Sequence, residues 1–200
     1  LHLVQSVQGY VTPAGIAFCA RMLNLTKAEV AAVATFYTMY KRRPTGEYLV
    51  SVCTNTMCGV LGGQQNYDDL SRLLDVGHNQ TTADGTITLE HAECLAACDY
   101  APVMTVNYEY FDQVDSAKGQ DIVRRLQAGE RPHPDRGGAL CGFKQISRQL
   151  AGFDDEVGDG DMVADDDVAD LADDTDAAGV PTLAGNRRAE SGKGDEGGAK

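Results

Sequence analysis

Six cysteines stand at positions 19, 53, 58, 94, 98 and 141, and four of them are paired by spacing: Cys53-x4-Cys58 and Cys94-x3-Cys98. Both pairs fall where a predicted strand meets a loop. Cys53 closes the β-branched and aromatic run Tyr48–Cys53, and Cys94 follows the alternating run Thr86–Leu89. A loop at a strand end can project two soft thiolates toward one point. Two such loops on neighbouring strands can enclose a metal centre.

Four chemistries use cysteines in this way. A disulfide framework belongs to oxidising compartments, and no charged-then-apolar leader with a cleavage site occurs in these residues. The chain begins at Leu1 rather than Met, so a longer natural N-terminus is expected. Thiol redox chemistry normally uses Cys-x-x-Cys, which is absent. Structural zinc takes four thiolates, and both spacings suit it. An iron–sulfur cluster takes the same donors, although the plant-type and bacterial ferredoxin spacings are absent and no His beside the pairs points to a Rieske centre. Local context favours the cluster over zinc. Gly59, Gly62 and Gly63 allow close backbone approach, while Ala96, Ala97 and Ala101 keep the second loop small and apolar. Cys19 reads as a small buried hydrophobe on a helix. Cys141, in Gly-Gly-Ala-Leu-Cys-Gly, reads as a packing residue or a thiol outside the pairs.

The elements that must position these loops can be read in part. Thr12-Pro13 marks an N-cap and first helical residue, followed by Ile16, Cys19, Ala20 and Leu23 at helical spacing. Thr26 and Glu29 form a capping box, with Val30, Val33, Ala34 and Tyr37 behind it. Lys41, Arg42 and Arg43 suit the end of that helix, and Pro44 is expected to stop it. Leu1, Val4 and Val7 imply an earlier helical turn. Beyond Gly46 the order is strand (48–53), helix (Tyr67, Leu70, Leu73, Leu74), strand (86–89, after the turn Asp84-Gly85), strand (103–106) and helix (Ile122, Val123, Leu126). This is an α+β arrangement, a small open sheet with flanking helices. Phe36, Tyr37 and Tyr40 are expected in the core, with partner docking as the alternative if they are exposed. Tyr108, Tyr110 and Phe111 are expected beneath the last helix, and His78 and His91 are expected to be ordinary polar residues.

Of the 200 residues, 42% are hydrophobic and 24% charged, and the net charge is −13. From Asp154 to Lys200 there are fifteen Asp or Glu against four Lys or Arg, so −11 of the charge lies there and residues 1–153 carry only −2. The 154–200 segment has no aromatic residue and no Cys, and is expected to be a disordered acidic tail. Asp155, Asp159 and Gly160 imitate part of an EF-hand loop, but Val157 and Asp166 break it. The acidity argues against nucleic acid, and no run is long enough for a membrane span. No Gly-x-Gly-x-x-Gly or Walker motif occurs, so nicotinamide and flavin sites are not expected on this chain.

The ordered motifs resemble the E-type subunits of bacterial NADH-quinone oxidoreductase, the thioredoxin-like [2Fe–2S] subunits of respiratory complex I. The stretches that carry the resemblance are Val33-Ala34-Thr35-Phe36-Tyr37, Val52-Cys53-Thr54-Asn55-Thr56-x-Cys58 with Leu61-Gly62, Thr82-x-Asp84-Gly85 before Ile87-Thr88-Leu89, and Glu93-Cys94-Leu95-x-x-Cys98 with Ala101-Pro102. One departure is Ala96, where the family usually has Gly.

The resemblance implies an N-terminal helical region (1–45) followed by a thioredoxin-like [2Fe–2S] domain (46–130); a C-terminal extension (131–153) and the acidic tail (154–200) lie outside it. It implies one [2Fe–2S] cluster on Cys53, Cys58, Cys94 and Cys98. The chain would be an electron-carrying subunit of the oxidoreductase, beside a partner that binds FMN and NADH. It would join other peripheral-arm subunits on the cytoplasmic side of the bacterial plasma membrane. The same fold in an NAD-reducing hydrogenase or an NAD-dependent formate dehydrogenase is the nearest alternative. A zinc-bound interaction module is the alternative of a different class.

Overall fold

A computed structural model describes residues 1–153. The expectations for the acidic tail and its EF-hand-like stretch lie outside the described residues.

Three helices lead: α1 (His2–Gln8), α2 (Pro13–Leu23) and α3 (Lys27–Phe36). The expected caps form. Thr12 accepts the Gly15 N–H, and Thr26 and Glu29 close a reciprocal capping box. The third helix, however, ends at Phe36 rather than running to Pro44. Tyr37 is extended, and the chain beyond it docks on its neighbours. The Lys41 N–H donates to the side chain of buried Gln5, and the Lys41 carbonyl accepts from Val11. Those tertiary bonds replace further helical ones. Lys41 is therefore not a helix-end charge. Its Nζ lies 2.6 Å from Glu90, with both side chains mostly covered, and the other Glu90 oxygen accepts from Ser51.

Then follow β1 (Tyr48–Cys53), α4 (Thr56–Val60), α5 (Gly63–Leu74), β2 (Gln80–Thr81), β3 (Ile87–Ala92), β4 (Met104–Val106), β5 (Glu109–Phe111), α6 (Ser116–Gln127) and α7 (Phe143–Leu150). The α+β expectation holds, and α4, β2, β5 and α7 add to it. The five strands form one mixed sheet in the order β2-β3-β1-β4-β5. Of its strand pairs only β1–β3 is parallel, with Cys53 opposite Ala92.

The sheet is covered on both faces, and β1 is buried throughout. Tyr48, Val50 and Val52 meet Leu70 and Leu74 of α5 and Ile122, Val123 and Leu126 of α6 in the main core. Leu49, of opposite parity, packs instead on Phe143 and Ile146 of α7. Helix α7 also lies against α1, where Gln5 donates to Ser147. Tyr108 therefore sits with Phe143 rather than under α6, and only Phe111 of the three expected aromatics joins the α6 core.

The helical region leaves apolar surface uncovered. Phe36 is 77% and Tyr37 55% exposed, with Phe18, Met22, Leu23, Leu25 and Val33 also exposed. The core placement expected for Phe36 and Tyr37 is thus corrected. Because α3 ends at Phe36, their rings meet edge to face at the helix end instead of turning inward.

Candidate functional site

The parallel pairing of β1 and β3 brings the two cysteine loops together at one end of the sheet. Cys53 is the last residue of β1, while Cys94 lies two residues beyond β3. Cys58 is not in a loop as expected. It sits on the short helix α4, capped by Asn55, and this turn carries its side chain back over the strand end. Cys98 opens a single 3₁₀ turn, Cys98–Tyr100.

The thiols stand as two pairs. Cys53 and Cys58 meet side chain to side chain, as do Cys94 and Cys98, and Cys98 is in electrostatic contact with Cys53 and Cys58. Cys53 and Cys58 are buried, whereas Cys94 and Cys98 are exposed. The site thus has a covered inner pair and an outer pair open to solvent. None of the four is in a disulfide.

The surroundings are those of an anionic centre in a small apolar shell. Ala97 and Val103 are buried with Cys53 and Cys58, and Leu95, Ala101 and Tyr110 pack against them. The Cys53 Sγ lies 4.0 Å from the Glu93 carbonyl. The Ala96 N–H points at the Cys94 Sγ, 3.4 Å away, and the Val103 backbone favours the Cys58 thiolate. Burial nevertheless pushes the Cys58 thiol up to about 11, and partial desolvation by its neighbours raises Cys98 too, exposed though that residue is, with Cys94 adding to the shift. Any metal bound here must displace those protons, so loading is favoured by rising pH.

The glycines serve packing of the loop itself. A Cβ on Gly63 would press into the Cys53 carbonyl oxygen and lie 2.8 Å from that of Cys58, so only Gly lets α5 start against both cysteines. Ala96 has φ +56°, the left-handed conformation that a Gly would adopt without cost.

The donor set and geometry fit a [2Fe–2S] cluster. Such a cluster has two irons, each needing two protein ligands, and the structure offers two thiol pairs in contact. A single zinc needs four donors around one point. Among the described residues no three His, Cys, Asp or Glu side chains are gathered for one ion.

The remaining residues fall elsewhere. Cys141 packs beside Leu49 and Phe143, and its carbonyl accepts from Asn107. Cys19 is half-buried on α2 rather than buried. His78 and His91 pack on each other with ring centroids 4.1 Å apart. Tyr110, expected beneath the last helix, belongs to the site instead: its hydroxyl donates to the Leu95 carbonyl at 2.8 Å. The alternation of β5 is the signal that separates it from buried Phe111.

A mixed sheet with two cysteine pairs at adjacent strand ends defines a small α+β protein built around a thiolate site. The profile of the thioredoxin-like [2Fe–2S] ferredoxin family matches residues 1–127, and the chain belongs to that family. It is 57% identical over 156 residues to the E subunit of NADH-quinone oxidoreductase from Mycobacterium tuberculosis, a match covering 78% of this chain and 62% of the relative. It is also 36% identical over 132 residues to NADH-quinone oxidoreductase subunit 2 of Thermus thermophilus, covering 66% of this chain and 73% of that one. The match thus spans about three-fifths of the mycobacterial relative's length. Among solved structures, an NAD+-reducing [NiFe]-hydrogenase in the H2-reduced state superposes with a TM-score of 0.54 at 21% identity, over 59% of this chain and 20% of that one. That likeness concerns the fold alone.

Proposed function

We propose that this chain is an electron-carrying subunit of an NADH-quinone oxidoreductase, holding one [2Fe–2S] cluster on Cys53, Cys58, Cys94 and Cys98. The observation that carries it is the double pairing of these thiols at the ends of β1 and β3, in a chain 57% identical to the mycobacterial relative over 156 residues. A bound [2Fe–2S] cluster supplies one-electron transfer. The inner pair, Cys53 and Cys58, anchors it under cover. The outer pair, Cys94 and Cys98, would hold it from the exposed side, and Met57, Val60, Leu61 and Tyr100, close to the cysteines in sequence, are exposed as well. Electron exchange with a partner would use the exposed side of Cys94 and Cys98, since Val103 and Ala97 are buried with Cys53 and Cys58.

NADH and FMN belong on a partner subunit in this reading, because the chain carries no nucleotide-binding motif of its own. The uncovered apolar surface of α2 and α3, around Phe36 and Tyr37, is the part of the described residues that supports docking to such a partner. No helix among the described residues is long and apolar enough to cross a membrane. We place the chain in a peripheral arm on the cytoplasmic side of the bacterial plasma membrane.

Anaerobic purification of the full chain, with iron and acid-labile sulfide assays and EPR after reduction, tests the site. The expected result is two irons and two sulfides per chain. Serine at any of the four positions is expected to remove most of the native signal, whereas Cys141→Ser retains it. A colourless chain with one zinc would refute the reading.

A further inference from the structure

Beyond the family match, which ends at residue 127, the chain returns to the site. Arg136 forms a backbone bridge with Tyr110 on the edge of β5: the Tyr110 N–H donates to the Arg136 carbonyl at 3.1 Å, and the Arg136 N–H donates back at 3.2 Å. This fixes the guanidinium between two aromatic rings, 5.4 Å from the Tyr100 centroid and 5.3 Å from that of Tyr110. Its Nη2 and Nε both reach Asp112 Oδ1, at 2.5 and 3.1 Å, and Nη1 lies 3.4 Å from Asp99 Oδ2. Asp99 directly follows Cys98, and Tyr100 follows Asp99. Tyr110, the other face of the stack, holds the Leu95 carbonyl directly after Cys94. One guanidinium therefore touches, directly or through one tyrosine, the residue after each outer cysteine.

We propose that Arg136 is a positioning residue for the outer thiol pair, clamping the 94–100 loop and setting a positive charge beside it. The inference rests on the reading of the four cysteines as cluster ligands. Only a planar cation fits all these contacts at once, since it stacks on both rings while its edge meets two carboxylates. The charge opposes Asp99, the anion nearest Cys98 in sequence. Added electron density on the bound group is favoured by the cation and disfavoured by the anion, so the two residues act on the reduction potential with opposite signs.

EPR-monitored redox titration of the full, anaerobically purified chain tests this with Arg136→Gln, Arg136→Lys and Asp99→Asn. Arg136→Gln is expected to reduce the ratio of reduced to oxidised cluster at a fixed potential by up to about tenfold, a midpoint lower by up to about 59 mV for one electron. Asp99→Asn is expected to move it upward. Arg136→Lys keeps the charge without the fork, so its midpoint stays near the parent's while the cluster is lost faster to chelator. A purely structural role would not move the midpoints of Arg136→Gln and Asp99→Asn in opposite directions. Loaded Arg136→Gln and Asp99→Asn with the parent's midpoint overturn the inference. If Arg136→Gln holds no cluster, the Asp99→Asn midpoint decides alone, and an unchanged value overturns it. A parent chain without iron and sulfide overturns the underlying reading as well.

Discussion

Ala96 keeps its N–H on the Cys94 sulfur by adopting φ +56°. The methyl group does not remove the backbone approach that a Gly would make; it makes that conformation more costly. An L-residue held left-handed costs about 1–2 kcal/mol, against about 0.4–1 kcal/mol that Ala contributes over Gly by restricting the unfolded chain. Ala96→Gly is therefore expected to stabilise the apo chain by up to about 1 kcal/mol in a denaturant titration, with iron content unchanged. Destabilisation would show that the methyl packs usefully. The position is legible in the sequence as a departure from the expected Gly, and so are the four cysteines, because soft-metal chemistry needs thiolates in close pairs. The site roles of Tyr110 and Arg136 are not legible there. A guanidinium acquires its role only when a segment far along the chain folds back beside the loop, and no local pattern records that return.

At the level of elements, the parts that can be read correctly are those whose signal is local. The capping box, the Asp84-Gly85 turn and the apolar spacing of α5 and α6 each follow from neighbouring residues. The end of α3 escapes such a reading because Lys41 finds tertiary partners in Gln5, Val11 and Glu90 that outweigh helical continuation. Helix α7 escapes it because it follows an irregular Gly- and Pro-containing stretch, although it seals the second face of the sheet. Phe143 is almost wholly buried against Leu49 and Ile146. Phe143→Ala removes a large side chain from a closed site, and such truncations cost about 3–5 kcal/mol. Thermal and denaturant unfolding should show a loss in that range. Hydrogen exchange in α1, which α7 covers, should rise more than exchange in α5 and α6. A loss below about 1 kcal/mol, well under the usual cost of such a truncation, would mean that α7 does not close this face.

Across the described chain, the main core and the thiol site are physically distinct. The core joins Val50, Val52, Leu70, Ile122 and Leu126 without a cysteine, while Cys53 and Cys58 belong to a small separate cluster at the sheet's end. Removing iron should therefore loosen the 54–62 and 94–101 segments but leave the sheet and its helices folded, with far-UV circular dichroism retained. The unfolding temperature should fall, because a group bound only by the native chain stabilises it. The pH dependence separates the two forms. In the apo chain, burial raises the Cys58 thiol from 9.0 to about 11 and also raises the Tyr108 hydroxyl above its ordinary 10.0. The folded apo chain thus keeps protons that the unfolded chain releases from about pH 9 upward. The stability tied to them is fully present below that pH and is lost as pH rises toward about 11. In a chain loaded as proposed, Cys58 would be a deprotonated ligand, so its share of this alkaline loss would be absent and that of Tyr108 would remain. Denaturation midpoints measured from about pH 7 to about pH 11 should fall more steeply for the apo chain than for the loaded one. Parallel slopes would show that Cys58 keeps its proton in the loaded chain and is not a ligand.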